Sequence, residues 1–350
     1  MRTAAVRAVL ASIVVGGLLA GCSSADGGGT TEKAERNPVL GASNGTSEGP
    51  SAAPSALADG VGSDQDTDGT FPRTVTHFKG ATTISAEPKK IAVLSTGQLD
   101  DLLSLGVVPT ATTRADNAGL VPDYLADAFP ADKGRLAAMT DAGTRQAPNL
   151  ETLAAAKPDL ILANDSLGDL YPKLSKIAPT VITAGNGINW KRDLLLVGDS
   201  LGKGQAAQTM LDGIVAEAEK KGAAIEGAPT VSMVRFTPDR TRMFGVSSFT
   251  GSIAVDMGLA RPKSQQFNAI SEDIGAESID TADGDWIFYS VQGDASKTDA
   301  ASVVADPLWK SMKAVKAGQA VKVDDDPWYL NAGPSAARLV ISELAENLGK

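Results

Sequence analysis

The sequence predicts an α/β fold of two lobes joined by a helical backbone, and three observations predict it. Short β-rich apolar runs alternate with helix-like stretches across residues 91–183 and again across 230–323, a pattern that builds largely parallel sheets with helices on their faces. Between the two series, residues 189–222 carry apolar side chains at helical spacing. A phrase of the first series is also echoed in the second. In NLETLAAAKPDLILAND (149–165) Glu151 stands eight positions ahead of Asp159, and in AESIDTADGDWIF (276–288) Glu277 stands eight ahead of Asp285, each Asp opening an apolar run. Length agrees, because 350 residues with 43% hydrophobic side chains suffice for two compact domains of ordinary size.

The chain opens on MRTAAVRAVLASIVVGGLLAGCSS, with Arg2 and Arg7 ahead of an apolar run, Val9 to Ala20, too short for a transmembrane helix. This is a secretory signal over residues 1–21. Its end, Leu19-Ala20-Gly21-Cys22, resembles the bacterial lipobox, which implies cleavage before Cys22 and a lipid on that residue. Cys22 is the only cysteine, so the protein has no disulfide framework although it enters a compartment that permits one. Of the 32 basic residues, losing Arg2 and Arg7 leaves 30 against 42 acidic ones, a net charge of −12 that disfavours nucleic acid as a partner. Residues 22–70, dominated by Gly, Ser, Ala, Thr, Asp and Asn, read as a disordered tether with a reach of roughly 35–40 Å.

The folded body is expected from residue 71. TVTHF and ATTIS, flanking Lys79-Gly80, predict a hairpin that leads into it. IAVLS (91–95) predicts a buried strand, QLDDLLSLG (98–106) a helix closed by Gly106, and VVPTATT (107–113) the next strand, together a βαβ unit. A helix and strand follow over 150–163, then YPKLSKIA as helix and PTVIT as strand, completing an N-terminal lobe of residues 71–188. In the connector, residues 189–222, Gly202-Lys203-Gly204 argues against one continuous helix, while Met210, Leu211, Ile214, Val215 and Ala218 predict a helix over its latter part. The C-terminal lobe, 223–350, contains TVSMVRF, RMFGV, SFTGSIAVDMGL, WIFYSV, VVADPLWKSMKAVKAG and AVKVD. A closing helix puts Ala336, Leu339, Val340, Leu344 and Leu348 near one face.

A lipobox, a polar tether and two α/β lobes about a helical connector together resemble the substrate-binding lipoproteins of ABC importers. The likeness is to the helical-backbone class, cluster A, that serves ferric siderophores, haem and cobalamin. PKKIAVLSTGQLDDLLSLGVVP, LETLAAAKPDLILA, YPKLSKIAPTV and DPLWKSMKAVKAGQAVKV resemble that family's phrases in the family's order, across roughly residues 74–349, with the actinobacterial iron-siderophore type as the best match. The resemblance implies a class III periplasmic-binding-protein fold with a ligand cleft between the lobes. It implies a monomeric receptor, lipid-anchored on the outer face of the cytoplasmic membrane, that delivers a ferric siderophore to ABC permease subunits. It also implies that Glu151 and Glu277 dock the lobes onto basic residues of the permease. The alternative is that both carboxylates merely favour the positive end of a helix, Glu151 behind an Asn149 cap.

His77 is the only histidine and Cys22 the only cysteine, so a His-rich metal site is excluded and a Ser-His-Asp triad would need a histidine from the hairpin. GKG lacks the context of a phosphate-binding loop. The reading is a binder without cofactor and not an enzyme. A ferric siderophore fills its metal's coordination sphere, so the protein needs arginines for the iron-bound oxygens and aromatic faces for the organic shell, and no metal ligand of its own. Residues at strand ends and in loops supply the candidates: Arg114, Arg145, Arg242 and Phe244, with Trp190, Tyr289, Trp328 and Tyr329. The resemblance marks Arg235 as the leading one. Asn164, Asp165, Ser166 and Phe249 lie at similar strand and loop ends. Trp286 and Trp309 are expected in the core. The acidic chain gives no sign of a strongly basic pocket and so points to a hydroxamate chelate. A haem or cobalamin receptor of the same fold, a cell-envelope hydrolase and a structural lipoprotein remain the rival readings.

Overall fold

Polar residues that composition marks as tether open the folded body. The structure, a computed structural model, describes residues 53–115, 118–185 and 187–349. The expected signal peptide, Cys22 and the first part of the expected tether lie outside them. Residues 53–70, assigned to the tether by composition, instead pack on the connector. Ala53 is buried, and β1 (Gly62–Ser63) pairs with β2 (Arg73–His77), which pairs in turn with β3 (Gly80–Ile84). Arg73 binds the carbonyls of Thr67, Thr70 and Asp199, while Asp68 accepts the N–H groups of Gln205 and Ala206. Asp, Ser and Thr serve here as caps and turn formers, a role that composition does not distinguish from disorder.

In the N-terminal lobe, β4 (Ile91–Val93), β5 (Ala111–Arg114), β6 (Thr140–Thr144), β7 (Leu160–Asn164) and β8 (Thr180–Thr183) form a parallel sheet in the order β6-β5-β4-β7-β8. Helix α1 (Thr96–Ser104) follows β4, and Gly106 sits at φ +78° just past its end, where glycine carries no Cβ penalty. Helix α2 (Leu150–Ala156) is capped by Asn149, whose side chain accepts the Thr152 N–H at 3.0 Å. Because β4 pairs with β5 on one side and β7 on the other, the strand order reverses at its carboxyl end, where open α/β sheets bind ligands.

The connector is two helices, α3 (Trp190–Ser200) and α4 (Gly204–Gly222), broken at the glycines. The C-terminal sheet runs β11-β10-β9-β12-β13, from β9 (Val231–Phe236), β10 (Thr241–Phe244), β11 (Ser271–Ile274), β12 (Trp286–Val291) and β13 (Ala320–Lys322). Its β9, β12 and β13 are parallel, but β10 and β11 are antiparallel to their neighbours. Residues 237–240, the link between β9 and β10, are too few for a crossover and impose a hairpin. Helix α5 (Phe249–Asp256) follows, and α6 (Pro334–Leu348) closes the chain with Ala336, Val340 and Leu344 buried and Leu339 and Leu348 partly so.

Strand alternation divides the core into three. A large cluster, including Val93, Leu102, Leu194, Val231, Phe288 and Val340, spans both lobes and the connector. Smaller ones fill the opposite sheet faces, with Leu94, Ile161 and Ile182 in one lobe and Phe236, Ile287 and Trp309 in the other. The lobes also meet through α1 and α6. Asp100 accepts the N–H groups of Ser335 and Ala336 at 3.0 Å each, so an N-lobe carboxylate satisfies the first turn of the C-lobe helix.

The echoed aspartates have matching structural work. Asp159 accepts the N–H groups of Lys89 and Lys90 just ahead of β4, and Asp285 accepts the N–H and hydroxyl of Thr230 just ahead of β9. Each pins the start of a central strand to its parallel neighbour.

Candidate functional site

A cleft of about 550 Å³ opens at the strand ends between the lobes. The N-lobe side includes Ser95, Gln98, Asp101, Arg145, Asn164 and Gly185, from the ends of β4, β6, β7 and β8 and the first turns of α1. The Asn164 amide donates to Ser95 Oγ at 3.2 Å and so ties the ends of β4 and β7.

The connector fixes both walls with residues from its first turn. Trp190 donates through Nε1 to Ser252 Oγ at 3.0 Å and packs edge-on to Phe249, and Lys191 pairs with Asp256 at 2.7 Å, all C-lobe contacts. Asp193 turns the other way and accepts the N–H groups of Ala184 and Gly185 at 3.1 and 2.7 Å. Burial drives its carboxyl up to about 7 against the pull of those donors. Asp101 is raised well above the usual carboxylate range, first by burial and then by Asp100 and Asp193.

The C-lobe side carries arginines and rings. Alternation along β9 sends Val231, Met233 and Arg235 to one face, and along β10 it sends Arg242 and Phe244 to the same one, while Val234, Phe236 and Met243 pack in the outer cluster. Arg235 and Arg242 are directly opposed in register. Like charges facing across a strand pair destabilise it, by roughly 0.2–1 kcal/mol on the scale of cross-strand pairs. Arg235 is offset by a two-point bond to Asp325, Nε to Oδ1 at 2.7 Å and Nη2 to Oδ2 at 2.6 Å, with Ser290 donating to the same carboxylate. Its Nη1 is the nitrogen that this fork does not use. Arg242 lies 5.6 Å from the Phe244 ring centre and only 3.7 Å from Asp273, and burial, then Arg240, lower its pKa. Arg261 adds charge behind the wall, wholly buried and bonded to the carbonyls of Val231 and Phe244 and to Gln265.

The aromatic back wall forms on a single π-helical turn, Asp326–Leu330. Trp328 stacks on Phe288 at 5.1 Å and donates through Nε1 to Glu343, and Tyr329 tilts on Phe244 at 4.6 Å with its hydroxyl on the Phe288 carbonyl.

Seven of the nine sequence-named ligand candidates therefore line the cleft: Trp190, Arg145, Arg235, Arg242, Phe244, Trp328 and Tyr329. Asn164, Ser166 and Phe249 join them. Two do not. Arg114 pairs with Asp141 and borders a shallow water-sized dent beside Asp326. Tyr289 has the wrong strand parity, since Ser290 faces Asp325 while Tyr289 packs edge-on to Phe236 and Trp309 in the outer cluster. Asp165 pairs with Lys79. Trp309 is core as expected, in the outer cluster, whereas Trp286 is only partly buried, stacked on Phe288 against the large cluster. Sequence reasoning missed Gln98, Asp101, Asp193 and Thr250. The available signal was a pair of polar residues three apart, Gln98 and Asp101, in a helix with Leu99, Leu102 and Leu103.

Among the described residues no group of three or more His, Cys, Asp or Glu is placed to hold a metal ion. His77 is buried in the hairpin against Thr82 and Tyr171, and burial lowers it to about 4.

Residues 91–327 match the periplasmic binding protein family. The "Probable siderophore-binding lipoprotein YfiY" of Bacillus subtilis is 31% identical, over 78% of this chain and 86% of its own length. The Fe(3+) dicitrate-binding periplasmic protein FecB of Escherichia coli is 26% identical, over 79% of this chain and 90% of its own. In structure the chain is similar to Staphylococcus aureus SirA complexed with staphyloferrin B, with a TM-score of 0.68 and 30% identity, covering 79% of this chain and 98% of that one. With two α/β lobes, a helical connector and a cleft at the strand ends between the lobes, the chain belongs to the periplasmic binding protein family.

Proposed function

We propose that the protein captures a ferric siderophore between its lobes and delivers it to an ABC permease. The carrying observation is the opposed pair Arg235 and Arg242, joined across the cleft by Arg145. Placing two cations in register costs stability in the empty protein, and a ligand that presents anionic oxygens there relieves the cost. Iron-bound oxygens of a saturated chelate meet that demand without any protein ligand to the metal. Family relatives bearing siderophore names support the class, and one named for ferric dicitrate supports its chemistry.

The hydroxamate preference rested on the absence of a basic pocket. Three arginines on the cleft favour instead a chelate that keeps negative charge on its oxygens, with carboxylate donors ahead of hydroxamates. Haem fits less well, because the sequence's one histidine lies in the hairpin and the Tyr329 hydroxyl is occupied by a carbonyl. Lipid attachment at Cys22 and export on the residue 1–21 signal belong to the same reading, as does docking through Glu151 and Glu277, both exposed on opposite lobes. Tryptophan quenching by ferric citrate, ferrioxamine B, a ferric catecholate and haem tests it. Saturable quenching by a ferric chelate, strongest for the carboxylate, is expected. Response to haem alone, or to no chelate, sinks the proposal.

A further inference from the structure

The cleft has a second chemistry opposite the arginines. Gln98 and Asp101, three apart on α1, form its floor with Asp193 from the connector and Thr250 from α5. Asp101 is 1% exposed and Gln98 2%. Gln98 Oε1, Asp101 Oδ1 and Thr250 Oγ1 are buried and meet no hydrogen-bond partner among the described residues. Gln98 has already committed its amide nitrogen to the Ala163 carbonyl and Thr183 Oγ1, so what remains to it is an acceptor. Leaving such groups unpaired carries a desolvation cost, and two acceptor oxygens and a hydroxyl without partners point to a donor arriving from outside.

We propose that this floor receives a nitrogen-bearing arm of the bound chelate, a protonated amine, while the arginines hold the oxygens around the iron. The inference rests on the ferric-chelate reading above and divides the ligand into an anionic head and a cationic arm. Asp101 faces Asp100 on its own helix and Asp193 on the connector, and Asp193 faces Arg192, the Thr183 hydroxyl and the N–H groups of Ala184 and Gly185. In this crowded acidic corner burial favours the neutral carboxyls, and an ammonium would return them to the ionised form as it binds. Selectivity for the arm therefore grows as pH rises through the range where Asp193 titrates.

A matched set of ligands separates the two ideas. Citrate joined through one carboxyl to ethylenediamine ends in a free amine, its N-acetyl derivative keeps the length without the charge, and ferric citrate has no arm. Affinities of the three ferric complexes are measured by tryptophan quenching at pH 6 and pH 8, for the native sequence and for Asp101→Asn, which keeps the shape and removes the charge. The free amine is expected to bind about ten-fold or more tighter than the acetylated form at pH 8 and by a smaller factor at pH 6. Asp101→Asn should erase most of that ratio. Equal binding of the two conjugates, or a preference that survives Asp101→Asn, overturns the acceptor floor. So does binding of ferric citrate alone. Binding of none of the three removes the ferric-chelate reading and this inference with it.

Discussion

In the N-terminal lobe Asp159 holds the two N–H groups ahead of β4, and in the C-terminal lobe Asp285 holds the N–H and hydroxyl of Thr230 ahead of β9. Around this shared device the lobes diverge. Glu151 stands in the first turn of an Asn149-capped α-helix, whereas Glu277 stands in a 3-10 segment, Ala276–Ala282, without a side-chain cap. One sheet is wholly parallel and the other ends in an antiparallel pair. That pair matters to the cleft, because the β9–β10 hairpin sets Arg235 opposite Arg242, a juxtaposition that the parallel lobe does not make. The repeat thus marks what both lobes need in order to fold, and the departures from it mark what each contributes to the ligand.

If the two glutamates are the part of the repeat kept for a partner, reversing both breaks transport and spares capture. Glu151→Arg with Glu277→Arg should cut iron uptake by roughly ten-fold or more, since like charge at a docking surface costs several kcal/mol. Chelate affinity of the purified protein should stay within error. Unchanged uptake in cells would leave the glutamates to their helix ends.

The two opposed arginines should respond differently. Arg235→Ala strands Asp325 in a largely buried site and is expected to cost about 3–5 kcal/mol in urea unfolding, besides weakening chelate binding. Arg242→Ala relieves the cross-strand repulsion, so stability should hold or rise slightly, while affinity for an anionic ferric chelate falls about ten-fold or more. Equal destabilisation by both substitutions would contradict the division of labour between them.

The smallest effect lies in the echoed aspartates. The Lys313 ammonium, with Thr230, holds the Asp285 carboxyl down to about 2. Its folded pKa is below the unfolded one, so its contribution is present above about pH 4 and is lost as pH falls towards 2. Asp285→Asn should therefore flatten stability against pH in that window, as followed by circular dichroism melts.

Most of the architecture was legible from the sequence because alternating apolar runs report sheet and helix directly. The β9–β10 hairpin was not read from the sequence, although the link of residues 237–240 is too short for a crossover. The cleft was legible in part. Arginines and rings at strand ends are conspicuous, but whether they enter the site depends on parity, which excluded Tyr289, and on local pairing, which turned Arg114 to Asp141. The acidic floor was hidden, since Gln98 and Asp101 belong to a helix whose leucines dominate its pattern. The ordered segment 53–70 was hidden as well, because its capping aspartates have the composition of a linker.

The account stands most directly on the affinity of the purified protein for a ferric carboxylate chelate, measured by tryptophan quenching before and after Arg242→Ala. A saturable response to the iron-loaded chelate that exceeds the response to the iron-free chelator, and that weakens about ten-fold or more in the variant without loss of melting temperature, is the predicted result. Binding that is absent, or indifferent to Arg242, would contradict a cleft organised around opposed arginines.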